Sequence, residues 1–351
     1  MSQKVDVGGQ AVIEGIMMRS PHSLAIAVRR RSGEIAIVER PWESVSDKLK
    51  FLKRPFLRGA VVLFEALLNG IQALTFSADQ AMEGMEEEER LAKAGAADPP
   101  RATAAEPENA APAKAGSGSR FMLYLTIFLS LLIGFAVFKG IPHLLTTLFG
   151  LQTDQMLFHF IDGAIKISMF IGYVMLVGRM QEMRRVFQYH GAEHKAIFAY
   201  ENGEELTVEN ARKYVRFHPR CGTSFIIIVL ISSILVFMVV FPFIPTLNPN
   251  RFINALLQIA IKFPLMFPVA CVAYEFQKWS ARNMTNPVVA LLVKPGIWLQ
   301  HVTTQEPDDA QIEIALAALR KTLWREEHGG APDPAAGTVI ETYRNLSEIP
   351  L

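Results

Sequence analysis

The feature that most limits what this chain can become is a set of apolar blocks, each near the ~20 residues that an α-helix needs to cross a bilayer. Four such blocks run from Phe121 to about Gly140, from about Leu157 to Gly178, from Thr223 to about Ile244 and from about Phe252 to Phe276. In hydrocarbon every backbone N–H and C=O must be paired within its own segment, so each block is expected to be a helix. Residues 57–82 form a further apolar helix, interrupted by Arg58, Glu65, Asn69 and Gln72. Those polar groups would need partners in lipid, so this helix is expected to lie in the interface or against the bundle, not to add a fifth span.

Charge sets the orientation. The connection 141–156 carries no Lys or Arg, and the one before the fourth block carries only Arg251. By contrast, 179–222 holds Arg179, Arg184, Arg185, Lys195, Arg212, Lys213, Arg216 and Arg220, and Lys114, Arg120, Lys278 and Arg282 flank the bundle. Both termini and the long middle segment are therefore expected in the cytoplasm of a multi-pass cell (inner) membrane protein. The first ten residues lack the apolar core of a signal peptide. Inside the blocks, Asp162 and Lys166 stand near the start of the second, and Lys262, Pro264 and Pro268 lie in the fourth. Snorkelling is the simplest fate for the two lysines, and lining a polar cavity is the other.

Half of the residues are hydrophobic and 20% are charged, as apolar blocks joined to soluble segments require. A net charge of +1 without a basic stripe gives no pointer to nucleic acid. The two cysteines, Cys221 and Cys271, argue against a disulfide framework and fit a reducing compartment. The chain divides into an N-terminal strand and helix segment (1–83), a linker (84–120), two helix pairs (121–178 and 223–277) around a middle motif segment (179–222), and a C-terminal cytoplasmic segment (278–351). The expected fold is mainly α, a polytopic helical membrane protein with a small N-terminal β-containing segment and a C-terminal amphipathic helix.

In the first segment, β-prone runs at Ala11–Met18, Leu24–Arg30 and Glu34–Glu39 surround Arg31-Ser32-Gly33, a hairpin-type turn. Gly8, Gly9 and Gly15 lack the G-x-G-x-x-G spacing and are expected in turns, although glycine also permits close approach to a ligand. In the linker, an acidic run from Glu86 to Glu89 passes into an Ala/Pro/Gly/Ser tract, which should be disordered and act as a tether. Past the last block, Thr303 and Glu306 have capping-box spacing just before Pro307. Ile312, Leu316, Leu319 and Leu323 then mark one face of a helix running to about Trp324. That face needs a partner, most simply the N-terminal strands or the middle segment. The last twenty or so residues read as an irregular tail.

The middle segment holds the candidate chemistry. His190-Gly191-Ala192-Glu193-His194 has the pattern H-x-x-E-H. On a helix, His190 and His194 lie one turn apart on one face and Glu193 projects beside them. Two imidazoles so spaced can bind Zn²⁺, and the carboxylate can act as general base on a water. The order reverses H-E-x-x-H and is that of the inverted zinc peptidases. His218 and Cys221, three apart on a Pro/Gly-shaped turn before the third block, can reach the same ion. Four ligands (His190, His194, His218, Cys221) would make a structural site, and three plus water an open catalytic one. Glu275 is a further candidate ligand. The plainer alternative is that the histidines are polar residues on an exposed helix face, that His218 and Cys221 cap the third helix or pack at headgroup level, and that Arg220 meets anionic lipid.

Gly8 to Arg19, His190 to Lys195 with Glu204 to Thr207, His218 to Ser224, and Pro295 to Gln300 followed by Thr303-Thr304 and Glu306-Pro307 together resemble the YqhQ-like bacterial membrane proteins. That family is described as uncharacterised and sometimes as predicted metal-dependent enzymes. The resemblance spans nearly the whole chain apart from 86–119. It implies a prokaryotic membrane protein with a cytoplasmic motif segment. Three functions compete: a membrane-embedded metal-dependent hydrolase with Glu193 as base, a scaffold or assembly factor that binds a protein partner through its soluble ends, and a transporter using Asp162, Lys166 and Lys262.

Overall fold

Alternating apolar residues build a five-stranded antiparallel meander at one end of the molecule. Its strands are β1 (Gly8–Val12), β2 (Gly15–Arg19), β3 (Ser23–Arg29), β4 (Ile35–Pro41) and β5 (Ile340–Tyr343). Gly33 turns β3 into β4 with φ +90°, a value that glycine alone adopts freely. The computed structural model describes residues 4–95, 122, 125–126, 128–130, 132–134, 136–151, 155–329 and 339–350. Residues 96–120 of the expected linker lie outside them.

The helices are α1 (Arg58–Gly95), α2 (Phe128–Leu148), α3 (Met156–Val177), α4 (Gln181–Asn202), α5 (Val208–Arg212), α6 (Gly222–Val240), α7 (Arg251–Arg282), α8 (Pro287–Thr303) and α9 (Asp309–His328). The sheet is covered on both faces, as the period-2 alternation demands. Ile16, Met18, Ala27, Ile35 and Ile37 pack on α4 and α9, while Met17, Leu24, Ile26, Val28 and Val38 pack on Ala73 and Phe76 of α1. The amphipathic face of α9 thus meets both partners expected for it, the strands and the middle segment.

Four expectations need correction. The tail is not irregular throughout, because Ile35 to Val38 of β4 pair with Ile340 to Tyr343. The acidic run continues α1 to Gly95 instead of opening a linker. The capping box of α9 is Asp308 with Gln311, since Glu306 stays in the connector and pairs with Lys195 at 2.5 Å. Finally, Lys166 and Lys262 do not snorkel. Both are buried and share Asp162, with Lys262 3.5 Å from its Oδ2. The rings of Phe158, Phe237 and Phe241 stand 5.0–5.6 Å from the Lys262 ammonium. A carboxylate and a cage of rings on neighbouring helices surround them, so the charges pair inward.

Among the described residues five helices are long and apolar enough to cross a membrane: α3, α6 and α7 over the blocks expected, α2 shifted to Phe128–Leu148 so that it takes in part of the connection expected from 141, and α1 in addition. The polar side of α1, however, is fastened to the sheet segment along its length. Glu65 accepts from Ser44 Oγ and the Val45 N–H, both at 2.7 Å; Ser77 donates to the Ile13 carbonyl; Gln80 accepts from Arg30 Nε at 2.7 Å. Gly84 backs onto the Arg31 side chain. Leu63, Phe64, Leu67, Leu68, Leu74 and Met82 are exposed on its outer side.

Candidate metal centre

The H-x-x-E-H pattern occupies the middle of α4, where the helix runs between the sheet and the connector 304–307. One turn apart, the His190 and His194 rings stand 4.5 Å centroid to centroid. His190 Nδ1 is 2.8 Å from the Thr303 carbonyl, and His194 Nδ1 meets the Arg216 carbonyl. A carbonyl only accepts, so each Nδ1 carries a proton and each Nε2 is the nitrogen left to face an ion, His190 Nε2 once it has given up the proton it directs at Cys221. Metal-binding histidines are commonly oriented in this way, with the far ring N–H bonded to a carbonyl. Cys221 is the N-cap of α6; its Sγ accepts from the Thr223 N–H at 3.4 Å and lies 3.2 Å from His190 Nε2.

One donor atom from each of His190, His194 and Cys221 falls within 4.8 Å of the others. Bond lengths of about 2.0–2.1 Å to nitrogen and 2.3 Å to sulfur give tetrahedral edges of about 3.3–3.6 Å. The 3.2 Å His190–Cys221 separation is close to such an edge, and the other separations, within 4.8 Å, would contract toward it around a zinc-type ion. Burial would raise the Cys221 thiol, but His190, His194 and the helix N-terminus hold it well below its usual value. Burial likewise opposes a charge on His190, yet the neighbouring thiolate lifts it to about 9. Burial dominates at His194, which is lowered.

Glu193 is 6% exposed, and burial pushes its carboxyl to about 7 against the pull of His190 and the Gly9 N–H. Its Oε2 has no hydrogen-bond partner among the described residues. Gly9 is not in a turn but inside β1, where a Cβ would stand 2.8 Å from Glu193 Cδ and 2.9 Å from the Met17 carbonyl oxygen. Gly15, in β2, is similarly pressed against the Ala27 carbonyl oxygen at 2.4 Å from its own would-be Cβ. Both glycines serve close approach between backbone and neighbour.

Two of the sequence candidates stand apart. His218 Nδ1 accepts from the Arg220 N–H at 3.2 Å and its Nε2 faces Glu201 Oε2 at 3.4 Å, so neither nitrogen is turned to the cluster. Its backbone is clamped by Gln300, which accepts from the His218 N–H at 2.8 Å and donates to the His218 carbonyl and Ser224 Oγ, each at 2.7 Å. Glu275 is held by Arg58 through two contacts at 2.6–2.7 Å. Sequence spacing read Thr303 as a helix cap, not as a partner of His190, and did not single out Gln300, Arg216 or Gln277, whose amide donates to the Cys221 carbonyl at 3.0 Å. The signal for Gln300 and Thr303 was the stretch from Pro295 to Pro307 that shares in the family resemblance. Gly9, His190, Cys221 and Thr303 come from four separate stretches carrying that resemblance, and all four meet here.

Glu193, His194 and Cys221 line a cavity of about 270 Å³ that also touches Val62 and Ala66 of α1. Beside it, sharing Arg19, His218 and Arg220 as lining, is a larger cleft of about 700 Å³.

A mainly helical chain with five apolar helices among the described residues and a small antiparallel sheet thus carries a His/His/Cys cluster, with His194 and Cys221 buried and His190 half-buried, next to a carboxylate. The chain belongs to the family described as protein of unknown function (DUF1385), whose model matches residues 54–325. It is 34% identical over 323 residues to the "Uncharacterized protein YqhQ" of Bacillus subtilis (strain 168), across 90% of this chain and 92% of that relative. The resemblance read from the four stretches is therefore borne out. No solved structure matches the chain.

Proposed function

We propose that this protein is a metal-dependent, zinc-type hydrolase of the cell membrane, with its site at the cytoplasmic face. The observation that carries this is the convergence of His190, His194 and Cys221 within 4.8 Å beside the buried, unpartnered Glu193 Oε2. The two histidines and the thiolate hold the ion, and the carbonyls of Thr303 and Arg216 fix the tautomers that let them do so. A zinc ion in such a site supplies Lewis acidity toward a carbonyl or phosphoryl oxygen and toward water. Glu193 Oε2 is the proton acceptor, and the Gly9 N–H orients its carboxylate.

The membrane setting follows from α2, α3, α6 and α7, which cross the bilayer, while α1 lies along its inner surface with its polar side on the sheet. The basic segment 179–222 supports a cytoplasmic site and cytoplasmic termini.

Metal content of detergent-purified protein, measured by mass spectrometry, tests this. About one equivalent is expected in the wild type and in His218→Ala, and none in His190→Ala/His194→Ala. Glu193→Gln should keep the metal and lose turnover. Wild-type protein prepared without chelators that carries no stoichiometric metal would end the hydrolase proposal. A scaffold with a structural metal has one observation in its favour: the cluster ties α4, the start of α6 and the end of α8 together. Full function in Glu193→Gln would select that alternative.

A further inference from the structure

The two connected chambers differ in chemistry, and the difference describes a ligand. The inner one, at the cluster, is walled by Val62, Leu63 and Ala66 from the first turns of α1 and by Phe225 of α6. Leu63 is 45% exposed on its other side, so this apolar wall is also part of the outer face of α1. The outer chamber is lined by Lys4, Arg19, Arg220, Lys278 and Arg282 against only two carboxylates, Asp6 and Glu201. Both carboxylates are engaged by Arg220, and Glu275 nearby is taken by Arg58. Among the described residues no carboxylate forms a direct ion pair with Lys278 or Arg282, and Asp6 and Glu275 act on Lys278 only from further off, so the last turn of α7 presents two cations without a contact partner.

From this layout we infer that the cavity takes an amphiphile with a phosphate-bearing head group, the head in the outer chamber and the alkyl chain along Val62, Leu63 and Ala66. This rests on the reading of the cluster as the reaction centre, which it supplies with a ligand class. Cations that are not internally neutralised favour a multiply charged anion. An apolar wall leading from the cluster to the lipid-facing side of α1 favours a chain over a free ion, because every methylene it buries adds to the affinity. Unpartnered Glu193 Oε2 lies where head and chain would join. The edge strand β1 lines the inner chamber with Gly8 to Gln10 and gives a peptide a main chain to pair with, but the cations of the outer chamber favour an anionic head group over a neutral backbone.

The test is a titration of the full-length protein in phosphatidylcholine nanodiscs with dodecyl phosphate, orthophosphate and dodecyl maltoside, followed by calorimetry. Dodecyl phosphate should bind at least tenfold more tightly than either of the other two. Lys278→Gln/Arg282→Gln should weaken it tenfold or more. Ala66→Phe, which fills the inner chamber, should bring dodecyl phosphate down to the affinity of orthophosphate. If the double variant does not fold, as judged by gel filtration, Ala66→Phe alone decides. Equal affinity for orthophosphate and dodecyl phosphate in the wild type would leave a phosphate site without a chain chamber and overturn the proposal. So would tight binding that neither variant affects. Metal content of the same samples keeps the two claims apart. Metal without dodecyl phosphate binding sinks the ligand class alone, whereas binding without metal sinks the hydrolase and leaves the amphiphile site standing.

Discussion

At the scale of single residues, the centre depends on how closely the connector 303–307 can lie on α4. A Cβ at Gly191 would stand 2.1 Å from the Gln305 carbonyl oxygen, and Gln305 N–H is bonded to the Phe187 carbonyl at 2.8 Å. Gly191→Ala must push this connector outward and with it the Thr303 carbonyl that fixes His190. Overpacking of this kind costs about 1–3 kcal/mol, and loss of the bond that orients a ligating histidine weakens a metal site about 10–100-fold. Thermal unfolding and a competitive chelator titration should record both effects. Gly222→Ala, where a Cβ meets nothing within 4 Å, is the control that should change neither. Gln300→Leu should be as damaging to stability. It orphans the His218 N–H and carbonyl inside the protein, at about 1–3 kcal/mol for a buried group left unmet. His190, Glu193, His194 and Cys221 were legible in the sequence because helical spacing and a helix-start position are local facts. His218 was not separable from them. The side to which its ring turns is decided by Glu201 and by Gln300, 82 residues away.

Among the elements, the apolar helices were the most legible, since long hydropathic runs need no partner to be recognised. What the charges within them do was not legible, because α3 and α7 must first be side by side. Asp162 is 1% exposed and Lys262 2%, and removing the shared carboxylate leaves two buried ammonium groups uncompensated. Asp162→Asn should therefore destabilise the bundle by about 3–5 kcal/mol, whereas Lys262→Met, which leaves the Asp162–Lys166 pair intact, should cost much less. Similar losses for the two variants in detergent unfolding would contradict the pairing. Strand β5 escaped the sequence for the opposite reason: four residues have no periodicity of their own and are defined by the free edge of β4. Its hold is partly ionic, with Lys321 2.6 Å from Glu341 and 3.6 Å from Glu39. Burial raises the Glu341 carboxyl, but the bonds from Lys321 and Tyr343 outweigh it and hold the group below its ordinary value. A depressed carboxylate stabilises the fold above the unfolded-state value and loses that contribution as pH falls through the folded one. Hydrogen exchange at Ile340 to Tyr343, corrected for intrinsic rates, should show β5 loosening below the usual glutamate range. At a half-open surface the effect is under about 1 kcal/mol, and Lys321→Met should abolish its pH dependence.

For the molecule as a whole, the decisive element is α1. By length and composition it is equivalent to the four helices read as spans. Its packing is different, because Glu65, Ser77, Gln80 and Gly84 contact Ser44, Ile13, Arg30 and Arg31 of the sheet segment along its length. If α1 crossed the bilayer it would carry that sheet into hydrocarbon, where the unpaired edge of β1 would have no water to bond. With α1 along the surface, its exposed Leu and Phe side chains replace headgroup-level lipid and its polar side supports the sheet. That orientation puts Val62 and Ala66 at the membrane boundary, which is where the inner chamber opens. Sidedness is measurable with a membrane-impermeant thiol reagent on intact cells and single-cysteine reporters, in a Cys271→Ser background with Cys221 buried. Asn248→Cys, between α6 and α7, should label from outside. Ser32→Cys in the β3–β4 turn and Met85→Cys near the far end of α1 should both label only after permeabilisation. Labelling of Met85→Cys in intact cells, with Ser32→Cys still protected, would make α1 a true fifth span. The sheet could not then stay docked along it, and the cavity would lose its apolar wall.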